Sequence, residues 1–332
     1  MKALAGLSAI FLCICLILGG CSSAARTSGS GGLQVYTGMF AAFEAARKIG
    51  GDRATVISLL SDGADAHDFE PTLRQKARLE QADLLMVCGE LEGWALKLYD
   101  TASSDSLRLV DLTEGLCGDE GDEDSHDHED ENDHAEHDHE GHEHEKHNHD
   151  EHEVHEHDVH DHEHDAHVWL DPQLFKIMLR RAADAFIKAD PAGHEYFETN
   201  YARYAAECDA LTGEFTEQTA PLKSRNLVVT HAAFGYMCRA FGLNQVPVSG
   251  YSDETEPSAR SLAQTIDFIR ANGVKTIYFS ESGSSRVGDA IARETSIRVS
   301  VLSTLERGGE DDYFAVQRKN LAAITAGQGE QK

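Results

Sequence analysis

Between Gly118 and Asp165 the chain carries 15 of its 19 histidines and 23 of its 58 acidic residues, with Lys146 as the single basic residue. A 48-residue stretch with so little to bury cannot join a packed core, so it interrupts whatever fold surrounds it. Its charge of −22 accounts for most of the total of −29 and leaves −7 for the rest, a mildly acidic globular body. Such a surface gains no counterion release from phosphate, which argues against nucleic-acid and anionic-membrane recognition. Setting aside the tract and the first 20 residues leaves 264 residues, about two domains of ordinary size.

The N-terminus decides the compartment. Met1 and Lys2 precede an uncharged apolar run from Ala3 to Leu18, closed by Leu18-Gly19-Gly20-Cys21. This reads as an export signal over 1–20, and no later run is apolar for long enough to cross a bilayer. Leu-Gly-Gly-Cys resembles the bacterial lipobox, which implies cleavage before Cys21, diacylation of its sulfur, and a body anchored by lipid to the extracytoplasmic face of the membrane, at the cell surface or in a periplasm. Residues 21–32 then form a flexible Ser/Gly-rich tether. Beyond the leader and Cys21 remain Cys88, Cys117, Cys208 and Cys238. In an oxidising location proximity along the chain favours the pairs Cys88 with Cys117 and Cys208 with Cys238.

From Gln34 onward short β-rich runs alternate with helical spacing. Gln34–Thr37, Ala54–Leu60, Ala82–Val87 and Leu107–Leu112 read as strands, separated by helices at Met39–Ile49, Pro71–Gln81 and Trp94–Tyr99. Past the tract, Pro172–Ala189 and Pro191–Gln218 read as helices, the second long enough to span a domain. A second alternation follows, with strands at Asn226–Thr230, Gln245–Val248, Lys275–Phe279 and Arg298–Leu302, and helices at Ala232–Phe241, Ser258–Asn272, Arg286–Glu294 and Asp311–Ala326. The expected fold is α/β: two parallel-sheet lobes (33–190 and 220–332) joined by a long rigid backbone helix (191–219), with a metal cleft between the lobes.

Outside the tract only His67, His167, His194 and His231 remain. His67 and His231 follow strands, where ligands gather in parallel sheets, and His167 precedes a helix; His194, at the start of the long helix, reads as an ordinary surface residue. The stretches Gly63-Ala-Asp-Ala-His67-Asp-Phe-Glu-Pro71, His167-Val-Trp-Leu-Asp-Pro172, His231-Ala-Ala-Phe-Gly-Tyr236, Glu256-Pro-Ser-Ala-Arg-Ser-Leu262 and Phe279-Ser-Glu-Ser282 occur in this order. In them the chain resembles the ZnuA-like zinc and manganese substrate-binding lipoproteins of bacterial ABC importers. The resemblance implies that His67, His167 and His231 bind the metal. Where that family commonly has Leu-Asp-Pro-Leu, this chain has Leu302-Ser-Thr-Leu305, so Ser303 stands at the carboxylate position and the fourth ligand is expected to be water or, second, Glu281.

Three imidazoles suit tetrahedral Zn2+ better than Mn2+, which prefers more oxygen ligands. Each must be deprotonated to bind, which places the acid limit of affinity near an ordinary histidine pKa of about 6.5. The tract histidines, His126, His128, His134, His137, His139, His142, His144, His147, His149, His152, His155, His157, His160, His162 and His164, alternate with Asp and Glu and offer many weak zinc sites, an accessory collector or sensor beside the main one. The resemblance implies a monomeric carrier that docks on an ABC permease. With no Gly-x-x-x-x-Gly-Lys in the chain, a separate ATPase subunit must supply the energy. The competing readings are a manganese carrier, a surface zinc hydrolase using Glu281 as base, and an adhesin. The absence of His-Glu-x-x-His and Gly-x-Ser-x-Gly speaks against an enzyme.

Overall fold

Two four-stranded sheets, each wholly parallel, account for the alternation. A computed structural model describes residues 32–60, 69–118, 165–248, 257–280 and 285–329. The expectations for the leader, Cys21, the tether, His67, Glu281 and the tract from 119 to 164 lie outside the described residues.

The first sheet is built from β1 (Leu33–Thr37), α1 (Phe40–Gly50), β2 (Ala54–Ser58), α2 (Leu73–Leu79), β3 (Leu84–Val87), α3 (Gly93–Asp100) and β4 (Arg108–Asp111), in the order β2-β1-β3-β4. β3, in the interior of the sheet, is buried along its whole length, as its unbroken apolar run requires. Thr72 begins α2 with a reciprocal capping box, its side chain accepting from the Gln75 N–H while Gln75 returns to the Thr72 backbone.

α4 (Pro172–Ala189) begins on Asp171, whose carboxylate accepts the Gln173 N–H, with Pro172 supplying a preset φ in the first turn. A single 3-10 turn, Pro191–Gly193, leads into α5 (His194–Thr219), whose 26 residues extend about 39 Å. α5 packs along α4 through stacked Phe186 and Phe197, 5.1 Å apart, and through the Arg180–Glu198 pair. The second sheet comprises β5 (Asn226–Val229), α6 (Gly235–Ala240), β6 (Asn244–Pro247), α7 (Ala259–Asn272), β7 (Thr276–Ser280), α8 (Ser285–Thr295), β8 (Arg298–Leu302) and α9 (Tyr313–Gln328), in the order β6-β5-β7-β8. α6 starts three residues later than the expected helix, because residues 231–234 form a turn held by the Phe234 N–H on Gln245 Oε1.

One hydrophobic cluster runs from Val35 and Met39 of the first lobe through Phe175, Phe186 and Phe215 to Tyr278, Phe314 and Ile324 of the second. The lobes therefore share a core, and smaller clusters line only the outer faces of the two sheets. A buried polar contact reinforces the junction. Lys48 Nζ of α1 lies 2.8 Å from Asp312, the N-cap of α9, and 4.8 Å from the ring centroids of Tyr204 and Phe314.

Neither expected disulfide forms. Cys88, Cys208 and Cys238 are buried thiols, and burial pushes the last two up to about 12. Nearness in sequence does not set the Cα spacing of about 5.5 Å and the facing Cβ vectors that a bridge requires. Among the described residues, no helix is long and apolar enough to cross a membrane.

Candidate metal centre

The carboxyl ends of β5 and β8 and the turn before α4 converge on one point. His167 caps the 3-10 turn Val168–Leu170, and the turn is fixed from the other lobe: Trp169 Nε1 donates to Thr304 O at 2.7 Å, while Tyr313 OH donates to Trp169 O at 2.7 Å. His231 lies two residues beyond β5, on a strand end held by the Thr230 N–H on Tyr278 O. Glu306 lies four residues beyond β8, after Leu305, which is fully buried and adopts φ 59°. A left-handed leucine is uncommon and costs backbone strain, here held by close packing and by the Leu305 N–H on Ser303 Oγ. The twist carries the next side chain inward.

The result is a closed cluster. One ligand atom each from His167, His231 and Glu306 lie within 4.8 Å of one another, and all three residues are buried. His167 Nε2 is 2.9 Å from Glu306 Oε1 and 3.4 Å from His231 Nε2, and Glu306 Oε1 is 4.0 Å from His231 Nε2. Asp165 Oδ1 accepts the His167 backbone N–H at 2.9 Å and sits 3.0 Å from the ring Nδ1. Burial disfavours charge on His167, but the hydrogen bonds to Asp165 and Glu306 and their negative charges hold its pKa up at about 9. Two imidazole nitrogens and a carboxylate oxygen at this spacing, all from buried residues, are donors of the kind zinc takes.

The expectation that the second lobe lacks a carboxylate at this point is corrected. Ser303 is occupied in shaping the loop, its N–H and carbonyl both bonded to the Asn320 side chain, and Glu306 reaches the cluster instead. Asp165 is a second correction. Counted with the unpackable tract, it is only 4 % exposed and holds His167. His194 begins α5, as expected. Two cavities lie elsewhere, one of about 690 Å³ beside Phe69, Lys76 and Trp94 and one of about 360 Å³ beside Ser303 and Lys319. The donor chemistry of His167, His231 and Glu306 marks the site.

A family model described as the zinc-uptake complex component A, periplasmic, matches residues 35–327. The chain is 30% identical over 331 residues to the zinc-binding lipoprotein AdcA of Streptococcus pneumoniae, covering 97% of this chain and 59% of that protein. It is 31% identical over 333 residues to the high-affinity zinc uptake system protein ZnuA of Bacillus subtilis, covering 97% of both. The Zn(II)-bound ZnuA-like domain of S. pneumoniae AdcA superposes with a TM-score of 0.69 at 26% identity, over 90% of this chain and all of that domain. The chain thus spans about three fifths of the length of the AdcA lipoproteins it matches.

Proposed function

Because the chain belongs to the ZnuA family of zinc-uptake components, we propose that it captures zinc outside the cytoplasmic membrane and delivers it to an ABC-type import permease. The carrying observation is the buried cluster of His167, His231 and Glu306, drawn from both lobes. With His67 from the loop after β2 as the fourth donor, three imidazoles and one carboxylate complete a tetrahedral protein shell. Such a shell leaves no open position for a metal-bound water, which favours a carrier over a hydrolase. Glu306 removes one earlier argument against manganese, but the majority of nitrogen donors still favours zinc.

Capture follows from the geometry. Zinc displaces the proton shared near His167 Nε2 and takes Glu306 and His231 as neighbours. The shared core and the α5 spine restrict lobe motion, so loading needs little closure of a hinge. Cys21 carries the lipid that keeps the carrier beside its permease, whose energy comes from a separate ATPase subunit, and the tract from 119 to 164 gathers zinc nearby at high local concentration.

Zinc titration against a competing chelator tests the reading. One tight equivalent is expected in the wild type, lost in His67→Ala, His167→Ala, His231→Ala and Glu306→Ala, and retained when 119–164 is deleted. Tight binding that disappears with the tract and survives the four substitutions would overturn it.

A further inference from the structure

Asp165 stands at the Nδ1 side of the His167 ring, away from Glu306 at Nε2. Its Oδ1 serves His167 twice, through the backbone N–H and the ring Nδ1. Its Oδ2 is buried with no hydrogen-bond partner, and it presses on Gly235 at the start of α6 so closely that a Cβ there would collide with it. A buried anionic oxygen left unpaired is costly unless a cation in the same enclosure offsets it. The other carboxylate of that enclosure is Glu306, 3 % exposed, on the opposite side of the His167 ring.

We propose that Asp165 is a positioning and charge-balancing residue of the metal centre, holding His167 with Nδ1 protonated and Nε2 toward the metal, and selecting a divalent over a monovalent cation. The proposal rests on the metal-binding reading above. Its physical basis has two parts. A carboxylate on the far nitrogen of a ligating imidazole fixes the tautomer and raises the donor strength of the near nitrogen. With neutral imidazoles, the buried charges of Asp165 and Glu306 favour a dipositive over a monopositive ion in a medium that screens poorly, while Arg239, whose Nη1 borders the same point of Gly235, offsets part of the Asp165 charge. Gly235 belongs to the same device, since any side chain there would displace the carboxylate.

The test uses the full chain, carrying Asp165→Asn, which keeps the shape and an acceptor but removes the charge, and Asp165→Leu, which removes both. Zinc and copper(I) affinities are measured by chelator competition, the copper(I) series anaerobically, with long-range proton–nitrogen NMR of the His167 ring reporting occupancy of this site alone. In the wild type Nδ1 carries the proton and Nε2 the metal. Asp165→Asn is expected to lower zinc affinity roughly 10- to 100-fold while copper(I) affinity holds or rises, so that the zinc-to-copper(I) ratio falls by at least tenfold. Asp165→Leu adds a mixture of ring tautomers. Zinc and copper(I) affinities that fall together, or a ratio that stays at the wild-type value while only the melting temperature drops, would overturn the proposal. A wild type with no tight zinc at His167, by contrast, would sink the metal-binding reading itself.

Discussion

His167 Nε2 and Glu306 Oε1 lie 2.9 Å apart although 139 residues separate them in the chain. In the metal-free protein this is a proton-bridged contact, because the pKa of about 9 keeps the ring charged at neutral pH. Zinc must expel that proton, so affinity should rise with pH by roughly tenfold per unit up to about 9 and then level. The acid limit thus lies well above the 6.5 of an ordinary histidine. Stability carries the opposite sign. The folded pKa exceeds the unfolded one, so this group's contribution is complete below about 6.5 and is lost as pH rises through about 9, on the order of 3 kcal/mol in all. Melting curves of zinc-free protein should shift downward across that window. A zinc affinity already flat from about pH 7 upward would contradict the assignment.

Glu306, not Ser303, should be the residue whose loss removes the tight site. Glu306→Ala deletes a donor from the cluster and leaves a charged His167 buried beside one carboxylate. A drop of at least about a hundredfold in zinc affinity is expected, close to 3 kcal/mol. Ser303→Ala removes the Oγ that accepts the Leu305 N–H. It should cost about 1 kcal/mol of stability and leave zinc affinity within a few-fold. Isothermal titration of the two variants side by side decides between them.

Why Glu306 was hidden, when His167 and His231 were not, follows from local geometry. The alternating strands and helices are legible because each buried strand is a short apolar run between turn residues, and the histidines stand out by position at strand and helix ends. The loop after β8 offers three acid-or-hydroxyl residues, Ser303, Thr304 and Glu306, and its backbone turns through a φ of 59° at Leu305 just before the glutamate. Backbone sign at a leucine has no signature in the letters. A usable signal was nonetheless present: a lone glutamate just past the carboxyl end of a parallel strand, the same edge that places His231. Asp165 was masked differently. It closes a run of Asp, Glu and His, and composition does not say at which residue such a run stops being solvated.

Trp169 ties the His167 turn to the Glu306 loop through its Nε1 hydrogen bond to Thr304 O. Trp169→Phe keeps much of the apolar volume but removes that donor at a fully buried site. A loss of about 1 to 3 kcal/mol in urea unfolding is expected. Zinc affinity should fall as well, since the two donors are then held less firmly to each other. An unfolding loss with unchanged affinity would mean that the loop keeps its place by other contacts.

Lys48 links the lobes on the side away from the metal. Its ammonium is buried between Glu44, whose Oε2 lies 3.6 Å away and accepts the Tyr313 N–H, and Asp312. Lys48→Met fills the same space without the charge and takes one cation from Glu44, which keeps Arg47 at 2.7 Å. Because Asp312 is partly exposed and Glu44 keeps Arg47, the loss is expected to be about 1 to 3 kcal/mol. Because neither Lys48 nor Glu44 touches the cluster, zinc-free and zinc-loaded proteins should lose stability equally in thermal melts. A larger loss in the loaded form would show that this contact also acts on the site.

Glu92 is a buried carboxyl that accepts the Met39 N–H at 2.7 Å and the Cys88 N–H at 2.6 Å, binding the carboxyl ends of β1 and β3 together. Burial outweighs those hydrogen bonds and pushes its pKa up to about 7. The folded protein therefore holds a proton there that the unfolded chain releases near pH 4.5. Stability from this group is complete below about 4.5 and is lost as pH rises through about 7, on the order of 3 kcal/mol. Glu92→Gln should flatten the stability profile across that window, at the cost of about 1 to 3 kcal/mol for the backbone N–H that then faces an amide donor. The next peptide N–H along the chain, that of Phe40, donates to Glu306 O at 3.0 Å. Denaturant titrations of the zinc-free protein at about pH 4.5 and pH 7 should separate wild type from Glu92→Gln by their slopes, and parallel profiles would place the titration on another group.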